Sequence, residues 1–149
     1  MASMAEDLDA MRRGQRPLPG FDRTLGFKLV ELDEGRAVFE TEADERHHNP
    51  GDRLHGGFLT GLADSAMGFA FGTTTRPGES ATNVEVKIHF LRPFWRGRLR
   101  AEARVVHRGR TVGMAEADVT DDQGRLVARA ASTFLVLPAD AAAETAGRH

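Results

Sequence analysis

One run of residues restricts the fold more than any other. From Phe58 to Phe71 the chain reads FLTGLADSAMGFAF, in which only Thr60, Asp64 and Ser65 are polar. The run is too long for one strand and reads as a helix buried nearly all round. Gly61 and Gly68 each cost such a helix about 1 kcal/mol, which assigns them to close packing. A helix of this kind needs protein against almost every side, and the rest of the chain has to supply it.

The chain beyond the helix is strand after strand. Past a turn at RPGES, Val84, Val86, Ile88 and Phe90 alternate with Glu85, Lys87 and His89 as far as Pro93, a period of two that predicts a strand in a clear register. Leu99, Ala101, Ala103 and Val105 alternate with Arg100, Glu102 and Arg104, and segments 111–120 and 125–137 are joined by the turn DDQG. Before the helix, Phe27 to Glu31 pairs with the run RAVFETE through the turn LDEG. Strands without intervening helices argue for an α+β fold, an antiparallel sheet wrapped on one central helix, and against a parallel doubly wound sheet. Residues 1–19 form a lead-in segment with a short helix around Leu8 and Met11, residues 20–138 the domain, and residues 139–149 a flexible tail.

Composition removes several function classes. The chain of 149 residues has no cysteine, so disulfides, thiolate catalysis, iron–sulfur clusters and Cys-ligated zinc are excluded. A net charge of −2 gives no global attraction for nucleic acid or an anionic membrane. The N-terminal MASMAEDLDAMRRG is acidic without an apolar core, and no later run approaches the ~20 residues of a membrane span. A cytoplasmic protein with no cofactor is expected.

The chemistry concentrates in HHNPGDRLHGG, residues 47–57, directly before the helix. Read blandly, it is a loop of turn formers with exposed histidines. Two features argue for more. The helix opens at His55-Gly56-Gly57, where backbone N–H groups without side chains can polarise a carbonyl oxygen. Asp64 stands in an apolar helix with no basic neighbour, an expensive place for a carboxylate without a task. Asp64 lies eight residues beyond Gly56, a rise of ~12 Å, too far to serve a carbonyl held at its own helix N-terminus. Two antiparallel helices across a two-fold axis would place each N-terminus against the other's midpoint, so a homodimer with two composite sites is expected. A metal centre built from His47, His48, His55 and Asp64 is disfavoured because no H-E-x-x-H pattern occurs.

The string NPGDRLHGGFLTGLADSA, residues 49–66, together with VEVKIHFLRP, residues 84–93, resembles the hot-dog-fold acyl-CoA thioesterases of the phenylacetate-pathway, PaaI-like type. The resemblance spans roughly residues 20–137 and implies a hot-dog fold, hydrolysis of an acyl-CoA thioester, and assembly as a homodimer or a homotetramer. By position it implies that Asp64 acts as general base or nucleophile, with water activation preferred. It implies that the Gly56 backbone N–H faces the thioester oxygen, beside Gly57, and that Asn49 orients the carbonyl or the water. His55 organises the loop. Where the family often holds the water with Ser or Thr, this chain has Asn83, with Thr82 beside it. Basic residues at strand ends, Arg92 and the Arg108-Gly109-Arg110 group, are candidates for the CoA phosphates. A hot-dog hydratase or dehydratase and a non-catalytic acyl-CoA sensor are the alternatives, separated by whether free acid and thiol appear.

Overall fold

The computed structural model describes residues 2–141. Its elements run α1 (Met4–Arg12), α2 (Gly20–Leu25), β1 (Lys28–Asp33), β2 (Arg36–Ala43), a 3₁₀ turn (Glu45–His47), α3 (Gly56–Gly72), β3 (Glu79–Phe90), β4 (Gly97–Arg108), β5 (Val112–Asp121) and β6 (Leu126–Pro138). The strands form one sheet in the order β1-β2-β4-β5-β6-β3, every neighbouring pair antiparallel. The expected helix and strands all form, with α3 packed against the sheet. The lead-in segment carries α1, closed by a capping box between Ser3 and Glu6. Next comes α2, a short helix that periodicity in the sequence does not announce.

The sheet can wrap α3 because its inner face is low where the helix lies. Ala37, Ala103, Ala117 and Ala130 stand in register across β2, β4, β5 and β6, and all four are buried. With only methyl groups in that row, the backbone comes close to the helix, whose buried side includes Leu62, Met67, Phe69 and Phe71. Each large side chain so buried contributes about 1.5–3 kcal/mol. Phe71 stacks on Phe134, ring centroids 4.4 Å apart. Gly113 passes over the same ring, where a Cβ would collide with Phe71 and lie 2.8 Å from the His107 carbonyl oxygen.

The register of β3 departs from strict alternation. A bulge between Asn83 and Glu85 turns two successive residues outward, so Ala81, Asn83, Val86 and Ile88 face inward while Val84 is 58% exposed. The uninterrupted alternation expected of Val84, Val86, Ile88 and Phe90 is therefore corrected: Val84 and Phe90 are exposed, and Asn83 takes the inward position before Val86. β3 is also an edge strand, with Val84 and Phe90 exposed along it.

Of the expected tail, residues 139–141 form a helical turn and the Ala139 N–H donates to the Gly78 carbonyl, 2.9 Å away. The remaining residues, 142–149, lie outside the described residues. No helix among the described residues is long and apolar enough to cross a membrane.

Candidate active site

The loop before α3 is braced by its own histidines. His47 accepts the Asp44 N–H at Nδ1 (3.1 Å) and packs its ring, tilted by 36°, against Phe58, and His48 donates from Nε2 to the Trp95 carbonyl (2.8 Å). Asn49 Oδ1 accepts the N–H groups of Gly51 (2.9 Å) and Arg53 (3.3 Å), closing a tight turn in which Asp52 adopts φ 56°. His55 is the N-cap of α3 and accepts the Gly57 N–H at Nδ1, 2.8 Å away. An imidazole accepting there holds no proton on that nitrogen. The same bond commits the Gly57 N–H to the cap.

Gly56 differs from its neighbour. As the first residue of α3 its N–H has no intrahelical acceptor, and it makes no hydrogen bond among the described residues. Asn49 and Gly56 line one cavity of 380 Å³ together with Phe90 and the exposed Arg92. A Cβ on Gly56 would lie 2.7 Å from Cζ of Phe90, so the close lie of that ring requires glycine. This cavity offers donors to an acceptor: the Gly56 N–H, and the Nδ2 of Asn49, whose Oδ1 is committed to the turn.

Asp64 lies elsewhere. It is partly buried, and its Oδ1 accepts a 2.7 Å hydrogen bond from Asn83 Nδ2. Asn83 Nδ2 also donates to Ser132 Oγ (3.2 Å), and Ser132 in turn donates to the Glu85 carbonyl (2.7 Å). The carboxylate that looked solitary along its helix is thus held by a neutral donor from β3, aimed by the bulge. Thr82 lines the same cavity, of 330 Å³, without a side-chain hydrogen bond to Asp64. Three participants were not anticipated: Ser132, Ser65 and Asp22. Asp22, on α2, is only 2% exposed, and Ser65 donates to its Oδ1 at 2.5 Å. Burial pushes the Asp22 carboxyl up from its ordinary value, opposed by the Ser65 hydrogen bond and reinforced by the charge of Asp64. No local pattern singles out Asp22, since its importance comes from α2 folding back over α3.

The sequence candidates therefore fall into separate groups within one chain. Asp64, Asn83 and Thr82 line one cavity, Asn49 and Gly56 the other, and the two share no residue. The Arg108 group lies at the end of β4 near the start of β3, joined by an Arg108–Glu79 ion pair. Arg92 follows the far end of β3, about 36 Å of strand away. Arg108 is engaged internally, donating to Glu79 and to the Gly109 carbonyl with its guanidinium 5.8 Å from the Phe71 ring centroid. Gly109 is required by the fold as well, because a Cβ there would collide with the Val112 carbonyl oxygen. Arg110 is exposed. No group of three or more metal-ligating side chains converges among the described residues.

Known proteins match both the sequence and the geometry. The family profile of the thioesterase superfamily matches residues 51–128. The acyl-coenzyme A thioesterase PaaI of Escherichia coli K12 is 33% identical over 107 residues, covering 71% of this chain and 74% of that protein. The 1,4-dihydroxy-2-naphthoyl-CoA hydrolase of Listeria monocytogenes is 28% identical over 117 residues, covering 78% and 95%. Among solved structures, the phenylacetic acid degradation-related protein of Ralstonia eutropha JMP134 superposes with TM-score 0.80 at 30% identity, covering 87% of this chain and 98% of that one. The E. coli PaaI structure gives 0.78 at 26% identity, covering 91% and 96%. With the helix, the antiparallel sheet and the loop motif all in place, the chain belongs to the thioesterase superfamily and is a hot-dog thioester hydrolase of the PaaI-like type.

Proposed function

We propose that the chain hydrolyses acyl-CoA thioesters at composite sites formed by two copies, the Asn49–Gly56 half from one and the Asp64 half from the other. The observation that carries this is the separation of the two halves within one chain, donors in one cavity and the carboxylate in another. The edge strand β3 supplies the means. Pairing two β3 strands antiparallel about Val86 sets Thr82 level with Phe90 of the partner subunit, so the Asp64 cavity of one copy meets the Gly56 cavity of the other. Such pairing would also cover Val84 and Phe90, which one chain leaves exposed.

In this site the thioester oxygen accepts hydrogen bonds from the Gly56 N–H and Asn49 Nδ2, which strengthen as the oxygen gains charge. Asp64, its Oδ1 fixed by Asn83, takes a proton from water at Oδ2 as the water oxygen attacks the carbonyl carbon. Collapse of the tetrahedral intermediate breaks the carbon–sulfur bond, and the proton on Asp64 passes to the leaving thiolate, giving free acid and CoA thiol. Arg92, exposed at the rim of the donor cavity, and Arg110 are the candidates for the CoA phosphates. Arg108 is a lesser one, since its guanidinium already holds Glu79.

Thiol release from a panel of aromatic and aliphatic acyl-CoAs tests the reading. Asp64→Asn keeps an oxygen for the Asn83 hydrogen bond, so it should fold and assemble as wild type while kcat drops about 10²–10⁴-fold. A well-folded Asp64→Asn protein within about threefold of wild-type kcat would remove Asp64 from the chemistry.

A further inference from the structure

The N-terminal segment lies along one side of α3, and three glycines of that side meet it differently. At Gly61 a Cβ would lie 2.9 Å from Cζ of Phe21, and at Gly72 a Cβ would lie 2.6 Å from Cδ1 of Leu8 and 3.0 Å from Cε of Met4. Those two glycines are consumed by contact, the first seating α2 and the second seating α1. Gly68, one turn beyond Asp64, corrects the expectation of close packing, which holds for Gly61 but not here: a Cβ at residue 68 has no neighbour within 4 Å. It opens instead into the 330 Å³ cavity that holds Asp64, whose remaining walls include Met4, Leu8, Pro19 and Phe134.

We infer that Gly68 and Met4 set the size of acyl group this chain accepts, Gly68 by leaving the floor of the cavity open and Met4, on α1, by closing its far side. The inference rests on the proposed placement of catalysis at Asp64. Polar groups line the cavity at Asp64, Ser65, Thr82 and Asn83, and the surface leading away from them is apolar, which suits a thioester carbonyl at one end and a hydrocarbon group at the other. The selection depends on α1, an element outside the helix-and-sheet core, held in place through Gly72.

The test uses S-alkyl-CoA thioethers, which bind without being hydrolysed, in a series from ethyl through benzyl and hexyl to hexadecyl, with the full-length protein. A Cβ at residue 68 meets no neighbour within 4 Å, so Gly68→Leu starts its side chain in open space, and it replaces glycine with a better helix former, so folding should be retained. It should weaken benzyl and hexyl binding by about tenfold or more, the worth of roughly two buried methylene groups, and leave ethyl binding within about twofold. Met4→Ala should shift the preferred chain length upward. Equal weakening across the series by Gly68→Leu, or an unchanged preference in both variants, overturns the inference. If the preferences shift as expected while wild type releases no thiol from any acyl-CoA, the size determinants stand and acyl-CoA hydrolysis falls.

Discussion

If each site draws its donors from one copy and its carboxylate from the other, two defective chains should repair each other. Asn49→Asp preserves the oxygen that accepts the Gly51 and Arg53 N–H groups, so the turn survives, but it replaces the free amide donor with an acceptor facing the thioester oxygen. Loss of one such donor costs about 10²–10³ in rate. Asp64→Asn removes the base while keeping the hydrogen bond from Asn83. In a mixed dimer of the two, one site collects both substitutions and the other neither, so a purified heterodimer should retain about half of wild-type activity per dimer. Random co-assembly of equal amounts should give about half heterodimers, hence about a quarter of wild-type activity, against roughly 1% or less for either parent. Co-expression with two different affinity tags, tandem purification and a thiol-release assay would measure this directly. A heterodimer no more active than its parents would mean that both halves come from one chain, and the composite site would have to be abandoned.

Two further outcomes concern the scaffold. Burial raises the folded-state value of the Asp22 carboxyl above the unfolded value of about 3.9, so the folded chain holds that proton longer and its contribution to stability is present in acid and lost as pH rises through the folded value. Asp22→Asn, which keeps an oxygen for Ser65, should accordingly raise Tm near neutral pH and lose that advantage towards about pH 4; thermal melts over that range check it, and an advantage that grows in acid would contradict it. Gly113→Ala should cost about 1–3 kcal/mol, since its methyl group must displace Phe71 from the stack with Phe134 or push against the His107 carbonyl. An unchanged urea midpoint would show that the ring yields freely.

The architecture was legible because its two periodicities are nearly undisturbed where they matter most. The apolar run that becomes α3 is buried except for one half-buried stripe through Gly61, Asp64, Ser65 and Gly68, and Leu99, Ala101 and Ala103 of β4 fall inward as alternation requires. Tight turns showed themselves by composition, as at Gly35, with φ 73°, between β1 and β2. What periodicity misses is the single extra residue. The bulge in β3 changes no residue type that a pattern would notice, yet it reverses which neighbour faces the helix. α2 escaped for a related reason: a six-residue helix has too few turns to display a face.

That one bulge also decides the chemistry available to Asp64. On a strictly alternating β3, Val84 would face the helix and Asn83 would face away, leaving a partly buried carboxylate without a partner. With the bulge, a neutral amide points at Asp64, and neutrality matters: an arginine or lysine in that place would stabilise the carboxylate as an ion and make it a poorer acceptor for a proton from water. Asn83 fixes the direction of Asp64 through Oδ1 without adding a charge, and Ser132 fixes Asn83 through a hydroxyl whose own proton is committed to the Glu85 backbone. Each link is thereby oriented by the next and anchored in sheet backbone, so the carboxylate is aimed by strand geometry rather than by ion pairing, which is what the proposed role of base requires.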